Sequence, residues 1–158
     1  MQTRRSWLIV GLVFGVLQTP LPAQSARLQQ QKALVQRWID VGFNQRNPGV
    51  VEEMFSPALV VNGERIGRDG LRQSMSRFLA AFDGLRVTIT AIIAEDDKVA
   101  LWYNAEGVHR GEFNGIAPTG KRVRWSGSDL LQIQDGAIVE AWFLDDALGL
   151  MRQLGGQP

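Results

Sequence analysis

RVRWSGSDLLQIQDGAIVEAWFLDD, residues 122–146, is the stretch that decides the fold of this chain. Two segments rich in apolar and β-branched residues flank Asp135-Gly136, a dipeptide that favours a two-residue hairpin turn. The stretch therefore predicts an antiparallel hairpin whose register is set by the turn. Counting outward from the turn gives these predicted pairs: Ile133 with Ile138, Leu131 with Glu140, Asp129 with Trp142, and Trp125 with Asp146.

All of these paired residues share one face of the predicted hairpin, because side chains alternate along a strand. The face is mostly apolar, so we expect it to pack inward. It also carries three carboxylates: Asp129, Glu140 and Asp146. A buried carboxylate without partners is costly and has a raised pKa, so three of them beside Trp125 and Trp142 indicate a pocket. Taken singly, each carboxylate is equally well explained by an ion pair. A β-bulge in the hairpin would change the predicted register for all pairs beyond it.

Outward from the hairpin, residues 85–93 and 98–109 predict two more strands, and Tyr103 and His109 share one face of the second. Earlier in the chain, apolar residues at helical spacing predict helices over 26–41 and 50–55 and from Asp69 onward. Residues 58–63 predict a short strand that runs into a turn. Helices followed by an antiparallel meander predict an α+β domain in one piece.

The first residues have the features of an export signal. Arg4 and Arg5 precede an uncharged apolar run over 7–17, and prolines and small residues follow it. The run is shorter than the roughly 20 residues that span a bilayer, so a membrane anchor is the less favoured alternative. We expect a signal peptide over 1–25, one domain over 26–158, and a periplasmic or secreted protein. The arginine pair resembles a twin-arginine signal, which is one route of export.

Composition excludes several classes of function. The chain has no cysteine and one histidine, which excludes thiol chemistry and leaves only scattered carboxylates as metal ligands. Without Arg4 and Arg5 the chain has 15 basic residues against 16 acidic ones, too little positive charge for a nucleic-acid binder. We therefore expect no metal, no nucleic-acid partner and no stable membrane insertion after signal cleavage.

Three segments together resemble a known family. VHRGEFNGIAPTGK over 108–121, SGSDL over 126–130, and the closing pattern from Asp135 to Gly155 are similar to the SnoaL-like polyketide cyclases, also called ester cyclases. The resemblance implies a cone of the nuclear-transport-factor-2-like, cystatin-like type. In this fold a curved antiparallel sheet wraps around N-terminal helices and encloses an apolar cavity. Homodimers are common among such cones, and a homodimer is compatible with this chain.

The resemblance also implies chemistry without a cofactor, an aldol ring closure of a polyketide ester. The family's acid/base aspartate falls on Asp129, and its histidine falls on His109. Asn62 stands roughly where a second histidine is common in the family, and Asp146 competes with Asp129 for the acid/base role. Export is a further departure, because polyketide tailoring normally happens in the cytoplasm.

Two functions are compatible with these residues. In the first, Asp129 and His109 catalyse enolisation or ring closure of a small hydrophobic carbonyl compound. In the second, an exported protein binds a small hydrophobic ligand in the same cavity without catalysis. Beyond the catalytic pair, the residues expected to line the pocket or bind substrate are Asp146, Trp125, Trp142, Glu140, Tyr103 and Asn62.

Overall fold

The computed structural model of the chain describes residues 22–155. The export signal expected over 1–25 lies mostly outside the described residues, and residues 22–25 are part of the first helix. The described elements, in chain order, are α1 (Pro22–Arg37), a π-helix (Trp38–Asn44), a 3-10 turn (Pro48–Val50), α2 (Val51–Met54), β1 (Phe55–Val61), β2 (Glu64–Arg65), α3 (Gly67–Ala81), β3 (Phe82–Glu95), β4 (Lys98–His109), β5 (Arg122–Gln134), β6 (Ala137–Asp145) and α4 (Ala147–Leu154).

The expected α+β architecture is confirmed. Six strands form one curved, unclosed sheet in the order β2-β1-β6-β5-β4-β3. All neighbouring strands are antiparallel except β1 and β6, which are parallel. The sheet is otherwise antiparallel as expected, and β6 comes to lie beside β1 only after the long connection through α3 and the strands β3 to β5, which permits the parallel pairing. α1 packs on β3 and β4, and α3 packs on β1 and β3.

The apolar core fills the space between the helices and the inner face of the sheet. The inner face carries the alternate residues of each long strand, such as Val99 and Leu101 on β4 and Leu131 on β5, which are fully buried. On the helical side, Gly42 lets the π-helix approach α3, since a Cβ there would lie 2.7 Å from Cε of Met75. The helix predicted over 26–41 is α1 followed by the π-helix, and it runs past Gly42 to Asn44.

Two amide side chains form hydrogen bonds with backbone N–H and C=O groups at strand edges that have no neighbouring strand. The Asn44 side chain accepts from the backbone N–H of Val87 at 2.8 Å and donates to its carbonyl at 3.0 Å, on the edge strand β3. Gln153 of α4 does the same for Arg124 of β5, at 3.0 and 2.6 Å. Both contacts cover an unpaired strand edge, and they fix the helices to the sheet.

The predicted hairpin forms with the Asp-Gly turn, but its register is correct only next to that turn. Gln134 pairs with Ala137 and Ile133 with Ile138 as expected. A bulge then shifts the pairing by one residue, so that Leu131 faces Ala141, Asp129 faces Phe143 and Gly127 faces Asp145. The predicted pairs Leu131–Glu140, Asp129–Trp142 and Trp125–Asp146 are wrong for this reason. The bulge rotates the rest of β6, so that Ala141, Phe143 and Asp145 face inward.

None of the described helices is long and apolar enough to cross a membrane.

Candidate active site

A cavity of about 200 Å³ lies between the inner face of the sheet and the helices. The helical side supplies apolar residues and one serine, and the sheet supplies every titratable group of the lining. The lining residues are Trp38, Ile39, Phe43, Leu71, Ser74, Met75, Phe78, Val87, Tyr103, Ala105, Trp125, Asp129, Phe143 and Asp145. Only Tyr103, Asp129 and Asp145 among them can gain or lose a proton, so any acid/base chemistry in this cavity belongs to these three.

Tyr103, Gly127 and Asp145 form one row across β4, β5 and β6. The middle position has no side chain, and the Tyr103 ring lies across it. A Cβ on Gly127 would overlap the Tyr103 hydroxyl oxygen. Through this gap the Tyr103 hydroxyl donates a 2.8 Å hydrogen bond to Oδ1 of Asp145. Trp125 Nε1 donates to the same oxygen at 3.0 Å, so two donors orient the Asp145 carboxyl group.

Asp129 lies one row deeper, between Leu101 of β4 and Phe143 of β6. The residue is 5% exposed, and its Oδ1 atom has no hydrogen-bond partner among the described residues. Burial raises the pKa of Asp129 to about 8, the charge of Asp145 adds to the shift, and the Tyr103 hydroxyl opposes it. At neutral pH Asp129 is therefore mostly a neutral carboxylic acid inside an apolar cavity.

Burial also raises the pKa of Tyr103, and the charges of Asp129 and Asp145 add to this effect. The phenol therefore keeps its proton across the physiological range. Its single O–H is the one donated to Asp145, which makes Tyr103 a fixed link between β4 and β6.

His109 lies at the end of β4, fully buried, and is outside the cavity lining. Its ring packs on Phe82 with centroids 5.6 Å apart. Nδ1 accepts the backbone N–H of Thr119 at 3.2 Å and lies 3.1 Å from the Thr119 hydroxyl. Because Nδ1 is an acceptor here, the ring hydrogen belongs on Nε2, which has no partner among the described residues. The contact ties the Pro-Thr-Gly segment back onto the strand.

The remaining residues expected in the pocket lie outside the cavity lining. Asp146 caps α4, where its side chain accepts the backbone N–H of Gly149 at 2.8 Å. Glu140 and Trp142 are on the outer side of β6 because of the bulge. The Asn62 side chain accepts a hydrogen bond from the backbone N–H of Phe143 at 2.9 Å, and this contact fixes β6 beside the cavity.

Asp145 is the titratable residue of the cavity lining that was not predicted from the sequence. Counting from the turn placed it on the outer face, and one unpaired residue in β6 reverses that assignment. The sequence signal for it is the pair of consecutive aspartates, Asp145 and Asp146. A one-residue bulge before this pair changes which of the two carboxylates faces the cavity. Among residues 22–155, no three His, Cys, Asp or Glu side chains cluster as a metal site would require.

Comparisons with known proteins agree with this architecture. Residues 33–154 match the family model described as SnoaL-like polyketide cyclase. AclR from Streptomyces galilaeus, a candidate hydroxylase, is 30% identical over 83% of this chain and 88% of its own, with a TM-score of 0.75. IdmH from Streptomyces antibioticus, a candidate polyketide cyclase, is 25% identical over 80% of this chain and 99% of its own, with a TM-score of 0.70.

A candidate SnoaL-like polyketide cyclase from Jannaschia sp. CCS1 shares the fold, with 22% identity and a TM-score of 0.77 over 89% of this chain and 99% of its own. No curated protein matches the chain.

Proposed function

Because this chain belongs to the SnoaL-like polyketide cyclase family, we propose that it catalyses cofactor-free acid/base chemistry on a small hydrophobic carbonyl compound. The reaction is an aldol-type ring closure or a related enolisation. We also propose that the protein works after export, on the strength of the signal-like residues 1–25.

The observation that carries this proposal is the position of Asp129, which is buried in the apolar cavity with its Oδ1 atom unpaired among the described residues. A neutral carboxylic acid in an apolar cavity is able to give its proton to a carbonyl oxygen as an enolate forms. The carboxylate that results is then able to take a proton back. No lysine or arginine forms an ion pair with Asp129 among the described residues, so an ion-pair role for this carboxyl group lacks a partner.

The cavity also limits the substrate. Pockets for small molecules usually measure about 300–1,000 Å³, and this one, at about 200 Å³, is smaller. The walls formed by α3 and the π-helix are apolar at Leu71, Met75 and Phe43. A compact apolar ketone or ester of one or two rings fits these dimensions better than a long polyketide chain.

His109 has an indirect role in this proposal. It lies outside the cavity lining, and its contact with Thr119 fixes the loop 110–121 that covers this end of the sheet. We propose that His109 positions this loop and takes no part in the proton transfer.

The test is exchange of α-hydrogens for deuterium in 2-tetralone, a compact bicyclic ketone, followed by NMR in D₂O. The wild type should accelerate exchange above the buffer rate, and Asp129→Asn should lower the acceleration at least about 100-fold, because an amide cannot transfer the proton. Asp69→Asn, an exposed change of the same chemistry on α3, is the matched control. Binding of 2-tetralone without any exchange would favour the non-catalytic carrier, and an unchanged rate in Asp129→Asn would contradict the role of Asp129.

A further inference from the structure

The cavity holds two carboxyl groups in opposite surroundings. Asp129 is buried without hydrogen bonds to its Oδ1 atom, whereas Asp145 is exposed at the end of β6 and has two donors on one oxygen. Both belong to the same lining, and Tyr103 lies beside both. Asp145 thus has two hydrogen-bond donors and contact with solvent, whereas Asp129 is surrounded by apolar groups and only the nearby Tyr103 hydroxyl favours its charge.

We propose that the two carboxyl groups divide the reaction, with Asp145 as the general base and Asp129 as the general acid. This inference rests on the proposed function and names the second catalytic group of that site. The bulge in β6 turns the Asp145 side chain toward the cavity, since without the register shift Asp145 would face away from it.

The hydrogen-bond pattern orients Asp145 for this role. Both donors, Tyr103 Oη and Trp125 Nε1, reach Oδ1, at 2.8 and 3.0 Å. Oδ2 has no hydrogen-bond partner among the described residues, and no described lysine or arginine is paired with this carboxylate. One oxygen therefore anchors the group, and the other is free to accept a proton from the substrate.

The proposed step conserves charge. Oδ2 of Asp145 takes a proton from the carbon next to the carbonyl group, and the C–H electron pair becomes the carbon–carbon double bond of the enol. The carbonyl oxygen takes the proton of Asp129, which becomes a carboxylate while Asp145 becomes the acid. Reversal with a deuteron from solvent on Asp145 gives exchange. In ring closure the C=C electron pair of the enol forms the new carbon–carbon bond to a second carbonyl carbon, the enol O–H returns its proton to Asp129, and the oxygen of the second carbonyl takes the proton held by Asp145.

Few other groups influence this pair. On the sheet, Tyr103 is the third titratable residue that faces the cavity, and its proton stays on the phenol. The residues that α3 and the π-helix contribute to the lining are uncharged: Trp38, Ile39, Phe43, Leu71, Ser74, Met75 and Phe78. We expect the exchange rate to fall as pH rises through about 8, where Asp129 loses its proton.

Asp145→Asn and Asp146→Asn are the decisive variants. Asparagine at 145 still accepts the hydrogen bonds of Tyr103 and Trp125, so a purely structural role would survive the change. At 146, asparagine is as good a helix cap as aspartate. We expect Asp145→Asn to lower 2-tetralone exchange at least about 100-fold with binding retained, and Asp146→Asn to exchange at the wild-type rate. Asp145→Glu, which restores a carboxylate, should recover part of the rate.

The outcomes separate the two proposals. A wild type without exchange overturns the proposed function itself. A wild type that exchanges together with an Asp145→Asn variant of equal rate overturns the base assignment alone. An equal loss in Asp145→Asn and Asp146→Asn also overturns it, because the effect would then follow net charge near the cavity. Ligand binding, measured by quenching of tryptophan fluorescence, shows that each variant is folded.

Discussion

At the scale of single residues, Gly127 is the position on which the site geometry depends. Because Gly127 has no side chain, the Tyr103 ring lies over it and its hydroxyl reaches Asp145. We predict that Gly127→Ala displaces the ring, breaks the 2.8 Å hydrogen bond to Asp145 and destabilises the protein by about 1–3 kcal/mol. Exchange of 2-tetralone should fall as well, because the base loses one of its two anchors. Urea unfolding and the exchange assay measure the two effects.

The control for Gly127 is the same change without the tyrosine. In a Tyr103→Ala background, the added methyl group of Gly127→Ala meets an empty space and should cost little. A double-mutant cycle therefore gives a large coupling energy between the two positions. Equal costs in both backgrounds would show that the glycine matters for another reason, such as strand flexibility.

His109 gives a second prediction at this scale. Its buried ring and its contact with Thr119 hold the loop 110–121 against the strand. We predict that His109→Ala destabilises the protein by about 2–4 kcal/mol and exposes Arg110 and Lys121 to trypsin, because the ring leaves a cavity and the loop loses its anchor. Thr119→Val, which keeps the backbone donor, should show a much smaller effect. A stable His109→Ala variant that resists trypsin but has lost exchange would point to direct catalysis by the imidazole.

At the scale of elements, the bulge in β6 decides which carboxylate faces the cavity. Ala141 is fully buried beyond it, and Glu140 lies on the outer side. We predict that Ala141→Asp destabilises the protein by several kcal/mol, since it buries a charge without a partner, whereas Glu140→Ala changes stability by less than about 1 kcal/mol. Thermal unfolding of the two variants gives the answer. A larger loss of stability in Glu140→Ala than in Ala141→Asp would contradict the bulge and favour the uninterrupted hairpin register.

The hairpin also shows how far the sequence alone leads. The Asp-Gly turn and the alternation around it predict both strands and their first pairs, because turn geometry and apolar patterning are local properties. The bulge is not local. It lies where Ile133 donates its N–H to the carbonyl of Asp97 in the β3–β4 turn, at 2.7 Å, a contact between distant parts of the chain. Asp129 was therefore predictable as a cavity residue, and Asp145 was not.

At the scale of the whole molecule, Asp129 should make stability depend on pH. Its pKa is raised from 3.8 to about 8 in the folded protein, so the folded state holds a proton that the unfolded chain has lost. The stabilisation is complete below pH 4 and disappears as pH rises toward 8. The free energy of unfolding should fall by about 1.4 kcal/mol per pH unit between these limits through this group alone.

Asp129→Asn isolates this contribution, since the amide does not titrate. The difference in unfolding free energy between wild type and variant, taken from urea curves at pH 5, 6.5 and 8, should move steadily in favour of the variant. Parallel curves across this range would mean that the carboxyl group is ionised in the folded protein at all three pH values.

The most direct test of the acid role of Asp129 is a ¹³C NMR titration of its carboxyl group in the folded wild-type protein, with the signal assigned by its disappearance in Asp129→Asn. Because Asp129 is buried in an apolar cavity, we predict a midpoint near pH 8, with the neutral acid dominant at pH 7. A midpoint near 4 would mean that the cavity solvates or pairs the carboxylate, and the acid role of Asp129 would then have no physical basis.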